Sequence, residues 1–164
     1  MTDMLVATLI SCFAGCTIVA AISDVRELRV PNRLCATIGL LFIGYAVVAL
    51  DLRAAGLAAA IGGLTLAVGF GLFSRGWLGG GDVKLLSVAA LWAGPAHAFD
   101  LFAVTAVAGG ALALALGSPL TSPLTIGLQQ RWQRVAPAGQ SSPMPCAVAI
   151  ATGALVVAAQ LFAA

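Results

Sequence analysis

Apolar residues do not alternate with polar ones along this chain; they run together in long blocks over 4–22, 34–50, 54–73, 83–99, 101–117 and 146–164. Each block is close to the roughly 20 residues an α-helix needs to cross about 30 Å of hydrocarbon. The pattern predicts an all-α polytopic membrane protein with about six transmembrane helices, one membrane-embedded domain over 1–164. Pro95 and His97 interrupt the fourth block, which shortens or tilts that helix. Between the fifth and sixth blocks, residues 118–145 carry Pro119, Pro123, Pro137, Pro143 and Pro145 and cannot form one continuous helix. Within this loop Leu124, Leu128, Trp132 and Val135 make an apolar stripe opposite Gln129, Gln130, Arg131 and Arg134. That stripe predicts an interfacial helix lying on the inner leaflet.

Composition and charge fix the solvent and the orientation. Of the 164 residues, 61% are hydrophobic and 9% charged, against about a quarter charged in a soluble domain, and the shortfall extends along the whole length. Lipid is therefore a partner by composition. A net charge of +2 leaves no basic surface for nucleic acid. Arg26, Arg29, Arg33, Arg75, Lys84, Arg131 and Arg134 fall in loops on one side of a six-span topology and only Arg53 on the other; the positive-inside rule makes the first side cytoplasmic. Trp77 and Trp132 then lie near the inner interface, Trp92 toward the outer one, and His97 at the outer end of the fourth span. Cys12, Cys16, Cys35 and Cys146 sit in apolar runs without a Cys-x-x-Cys pair and read as packing residues. With one histidine, they supply no plausible metal site. Gly109, Ala113 and Gly117, and Ala59 with Gly63, recur every four residues and predict close helix contacts.

Polar chemistry is confined to two islands, residues 23–32 (Ser-Asp-Val-Arg-Glu-Leu-Arg-Val-Pro-Asn) and 79–84 (Gly-Gly-Gly-Asp-Val-Lys). Pro31 disfavours helix at Val30 and Asn32 is a good N-cap for the second span, so the first helix stops near Arg26. Asp24 then sits in a last turn, facing the negative end of the helix dipole, either solvated by headgroups and paired with Arg26 or held for function. Asp82 reads as an N-cap of the fourth span after a Gly-rich loop, with Lys84 as an interfacial anchor, or as a functional group. Parity of the crossings brings Asp24 and Asp82 to the same face. Two carboxylates that meet at the edge of a low-dielectric layer can share one proton, one taking a proton from water while the other polarises a peptide carbonyl.

These residues resemble the type IV prepilin leader peptidases of the GxGD class of membrane aspartic proteases. Asp24, Arg26, Val30, Pro31 and Asn32 match the family's first motif, and Gly79, Gly81, Asp82 and Lys84 its second, Gly-x-Gly-Asp-x-Lys. The resemblance implies that Asp24 and Asp82 are the catalytic pair. Gly79, Gly81, Lys84, Arg26, Pro31 and Asn32 would shape the site or bind substrate. No cofactor is implied. The partner would be a membrane-anchored prepilin whose short basic leader is cut at the cytoplasmic face of a bacterial inner membrane. Lacking a cytoplasmic domain with four zinc-binding cysteines between spans one and two, the chain is similar to the short form associated with Flp pili, and N-methylation is not carried over. The alternatives from other classes are a small transporter or channel subunit with an aspartate relay, and a noncatalytic pilus-assembly factor.

Overall fold

Hydrocarbon offers no hydrogen-bond partner, so a chain this apolar must satisfy its backbone internally, and helices do so segment by segment. The computed structural model describes residues 2–117 and 145–163, and the described residues form helices with no strand. The elements are α1 (Thr2–Glu27), α2 (Asn32–Ala49), α3 (Leu52–Ser74), α4 (Gly80–Gly117) and α5 (Cys146–Ala163). All five are long and apolar enough to cross a membrane, and the protein is a multi-pass membrane protein. The interfacial helix expected within 118–145 lies outside the described residues, Pro145 apart.

Five helices replace the six expected because the fourth and fifth spans are continuous in α4, broken at one residue. Gly94 has φ 53° and ψ −166°, outside helical geometry, in a region a residue with a Cβ rarely visits, and Pro95 follows it. Packing partners show that the chain turns back there. Before the break, Val83 lies against Gly69, Ser87 and Leu91 against Gly62, and Gly94 against Ala58, an antiparallel register with α3. After the break, Asp100 meets Gln160, Leu101 and Thr105 meet Gly153, and Gly109 meets Ala149, an antiparallel register with α5. Ala147 at the start of α5 bonds Asp24 at the end of α1, so Gly109 returns toward the aspartate end that Asp82 left. The limbs 80–93 and 95–117 are about 21 and 34 Å long at 1.5 Å per residue. The reversal falls at 94–95 rather than near 100, the boundary that the apolar blocks predict. Asp100 is thus helical, its carboxylate accepting from Gln160 Nε2 at 2.7 Å.

The core joins α1, α2 and the first limb of α4 through aromatic rings. Trp92, expected at the outer interface, is 2% exposed. It stacks on Phe13 at 4.4 Å between centroids and on Tyr45 at 5.0 Å, meets Phe42 edge-on, and its Nε1–H donates to the Ile38 carbonyl at 3.2 Å. Burial of the polar edge is tolerable because that donor is satisfied. Of the cysteines, only Cys35 is fully buried, and Cys12 is exposed. Among the small residues, Gly62 and Gly69 make the close contacts with α4, whereas nothing lies near Gly63. Gly109 does pack as expected, against Ala149. A Cβ at Gly153 would come within 2.8 Å of the Leu101 carbonyl and collide with Thr105 Oγ1. Gly153→Ala is therefore expected to destabilise by about 1–3 kcal/mol, the range for overpacking. Gly63→Ala should be neutral or slightly stabilising through helix propensity. Thermal unfolding of both variants in detergent measures the contrast, and equal midpoints would refute the packing.

Candidate active site

The two polar islands and the start of α5 meet at one end of the bundle. α1 ends in a left-handed turn: the Leu28 N–H donates to the Asp24 carbonyl at 2.8 Å and Leu28 has φ 51°, a conformation that costs a residue with a Cβ roughly 1 kcal/mol. The Ser23 hydroxyl holds the returning strand by donating to the Arg29 carbonyl at 3.1 Å. This closure leaves the Asp24 side chain inside the bundle, 5% exposed. At the C-terminal end of its own helix a carboxylate faces the negative pole. The compensation comes from α5, whose Ala147 N–H donates to Asp24 Oδ2 at 2.9 Å. Ala147 is the second residue of α5, and its N–H is one of the donors every helix start leaves without an internal partner. Arg26, the partner expected from sequence, is exposed.

α3 is closed by Gly76, φ 74°, with Trp77 N–H donating to the Leu72 carbonyl and Gly76 N–H to that of Phe73, a Schellman stop that delivers the chain to the glycines. Gly79 caps α4, its carbonyl accepting from Val83 N–H at 3.1 Å. Asp82 is not the N-cap expected from sequence but the third residue of the helix, and its carboxylate reaches back to accept from the Gly79 backbone, as the acidic member of a capping box does. Glycine leaves room for this placement: a Cβ at Gly79 would lie 2.7 Å from Asp82 Oδ2 and displace the carboxylate. At Gly81 a Cβ would lie 3.2 Å from Val30 Cβ, and at Gly80 it would lie 3.3 Å from the Phe73 ring. The Gly-rich island is thus packed directly onto the Val30-Pro31-Asn32 island.

Asn32 is likewise not a cap. Pro31, exposed, occupies that position without a side-chain bond, and Asn32 opens α2 with its Oδ1 accepting from Lys84 Nζ at 2.9 Å. This bond fastens α2 to the first limb of α4 two residues after Asp82. Asp24 and Asp82 lie within electrostatic reach of each other, and the Cys146 thiol within reach of both. The structure therefore gathers Asp24, Asp82, Gly79 and Gly81, with Asn32 and Lys84 bonded to each other at the exposed rim, where Arg26 and Pro31 also lie. It adds Ala147 and Cys146, which were not singled out as site residues; Pro145 immediately before an apolar run was the available signal, since proline favours a helix start. From Asn32 and Lys84 a cavity of about 460 Å³ extends into the apolar layer past Cys35, Gly39, Gly62 and Leu91. His97 belongs to the far side of the Gly94 reversal.

Paired carboxylates in such surroundings can hold and pass a proton, and among the described residues no cluster of histidine, cysteine and acidic side chains has the arrangement of a metal site. The Asn32–Lys84 bond is testable without an activity assay. In a double-mutant cycle of Asn32→Ala and Lys84→Ala, thermal unfolding in detergent should show a coupling of about 0.5–1 kcal/mol, the scale of an exposed hydrogen bond to a charged group. Strict additivity would mean that the two islands are not joined through this pair.

No curated protein and no solved structure matches the chain. Residues 5–114, from the first turns of α1 to the end of the second limb of α4, match the type IV leader peptidase family. That stretch contains both islands, Asp24 and Asp82, and this membrane-embedded peptidase belongs to the type IV leader peptidase family.

Proposed function

We propose that the chain is an intramembrane aspartic endopeptidase that removes the short basic leader of a membrane-anchored type IV prepilin, of the Flp type, with Asp24 and Asp82 as the reacting pair. The observation that carries this reading is the meeting of the two carboxylates at one end of an apolar bundle, each held by a backbone N–H at a different helix start. In this mechanism one aspartate is ionised and takes a proton from a water molecule as the water oxygen attacks the scissile carbonyl carbon. The other is protonated and donates to the carbonyl oxygen. Collapse of the tetrahedral intermediate breaks the C–N bond; the proton taken from water passes to the departing amine, and the proton given to the carbonyl oxygen returns to the aspartate that donated it. The protein supplies no covalent nucleophile to this sequence and requires no cofactor.

The substrate's leader must be extended where it is cut, because a helical peptide bond is shielded by its own turns. The Gly79–Gly81 segment beside Asp82 is where such an extended stretch of substrate would lie. The cavity beside Asn32 and Lys84 offers room for the apolar stem that follows. The basic residues Arg26, Arg29, Arg33, Arg75 and Lys84 share the aspartate end of the helices, which the positive-inside rule assigns to the cytoplasm of a bacterial inner membrane.

Cleavage of a membrane-embedded prepilin by Asp24→Asn, Asp82→Asn and the double variant tests the pair. Asparagine keeps the shape and most hydrogen bonding while deleting the titratable group. Each single variant should fall by at least about 100-fold, the contribution expected of positioned acid–base groups. The double variant should be no worse, since groups that act as a unit are not additive. All three should unfold near the parent temperature in detergent. Wild-type turnover by either folded single variant would sink the aspartic mechanism.

A further inference from the structure

Two helix starts converge on the carboxylates, yet they differ in origin. The donor to Asp82 comes from Gly79, three positions before it in the same short segment. The donor to Asp24 comes from α5, 123 positions away in the chain. Pro145, ahead of α5, is fully buried, and its carbonyl accepts from Val148 N–H at 3.3 Å, which closes the first turn. Ala147 is itself 0% exposed. Its N–H is therefore aimed by a packed turn and has no water to turn to. Thr105 and Gly153 then hold the body of α5 against the second limb of α4.

We propose that Ala147 is a positioning residue for the reaction: its backbone N–H, supplied by the first turn of α5, fixes the Asp24 carboxylate in place and sets the pH at which Asp24 exchanges its proton. This deepens the assignment of Asp24 and Asp82 as the reacting pair and rests on it. The physical argument is direct. A hydrogen bond from an N–H favours the ionised form of a carboxylate, and the positive pole of α5 adds to it. Among the described residues, the other surroundings of Asp24 disfavour its charge, namely burial, the negative end of α1, and the charge of Asp82. Among the described residues, the titratable groups that face it are Asp82 from α4 and the Cys146 thiol from α5; Arg26, on its own helix, is exposed. Removing this N–H therefore removes a direct stabilisation of its charge.

Replacing Ala147 by lactic acid through nonsense suppression tests this in the full-length protein. The substitution turns one amide into an ester, keeps the methyl group, and deletes only the donor. Cleavage of a membrane-embedded prepilin is followed across pH for the wild type, the ester protein and Ala147→Gly, which retains the N–H. At least one limb of the ester protein's profile should move to higher pH by about one to two units, the equivalent of a hydrogen bond to a charged group. Ala147→Gly should keep the wild-type limbs. Infrared titration of the Asp24 carboxyl, taken as the difference from Asp24→Asn, should shift in the same direction and requires no turnover. Superimposable profiles and titrations in folded ester protein would overturn the positioning role. If the ester protein does not fold, Ala147→Pro, which removes the same donor where a first helical turn tolerates proline, gives the same two readouts. Failure of wild-type protein to cleave prepilin would instead count against the function proposed above, and the infrared shift would still decide the contact.

Discussion

In hydrocarbon an unpaired backbone N–H is costly, so a membrane protein built of helices has free donors only where helices begin. This constraint organises the molecule. α4 begins at the Gly-rich island and α5 at Pro145, and each presents a donor to one aspartate. The remaining helix interiors consume their own donors and form a scaffold. Asp24 and Asp82, which need donors to exist as anions in such surroundings, therefore sit where two helices start, whereas Asp100, within the second limb of α4, takes its donor from the Gln160 side chain.

Getting those starts to one end of the bundle requires an even number of crossings between them. The reversal at Gly94 provides it. With Gly94 in a helical conformation, α4 would continue as a single rod of 38 residues, about 57 Å long, and Leu101, Thr105 and Gly109 would no longer run back along α5 toward the aspartate end. The aromatic group around Trp92 lies just before this point and ties the outgoing limb to α1 and α2. The contacts of Gly153 and Gly109 tie the returning limb to α5. The position of the donor to Asp24 thus depends on a glycine and on packing far from it in sequence.

The glycines around Asp82 act differently. Their contribution is the absence of a Cβ at places where Asp82, Phe73 and Val30 occupy the space. The motif is thereby a packing code as much as a chemical one: Gly79 leaves room for the Asp82 carboxylate to fold back, and Gly81 lets the second island close onto Val30. The Lys84–Asn32 bond then fastens the two islands across α2 and α4.

The amino-acid sequence alone determined that the solvent is lipid, that the structure is helical, and that Asp24 and Asp82 share an end. Those properties follow from block length, charge distribution and parity of crossing, which are summed along the chain. It could not separate lipid-facing from core-facing positions, because both are apolar in a bilayer. Trp92 was therefore assigned to an interface, and Gly63 rather than Gly62 to a contact. Nor could it distinguish an N-cap from the third helical residue at Asp82, or a cap from a cross-helix acceptor at Asn32, since a shift of one to three residues leaves composition unchanged. The Ala147 donor was invisible for a deeper reason: it is a backbone group, identical at every non-proline residue, and only tertiary packing selects which one meets a carboxylate.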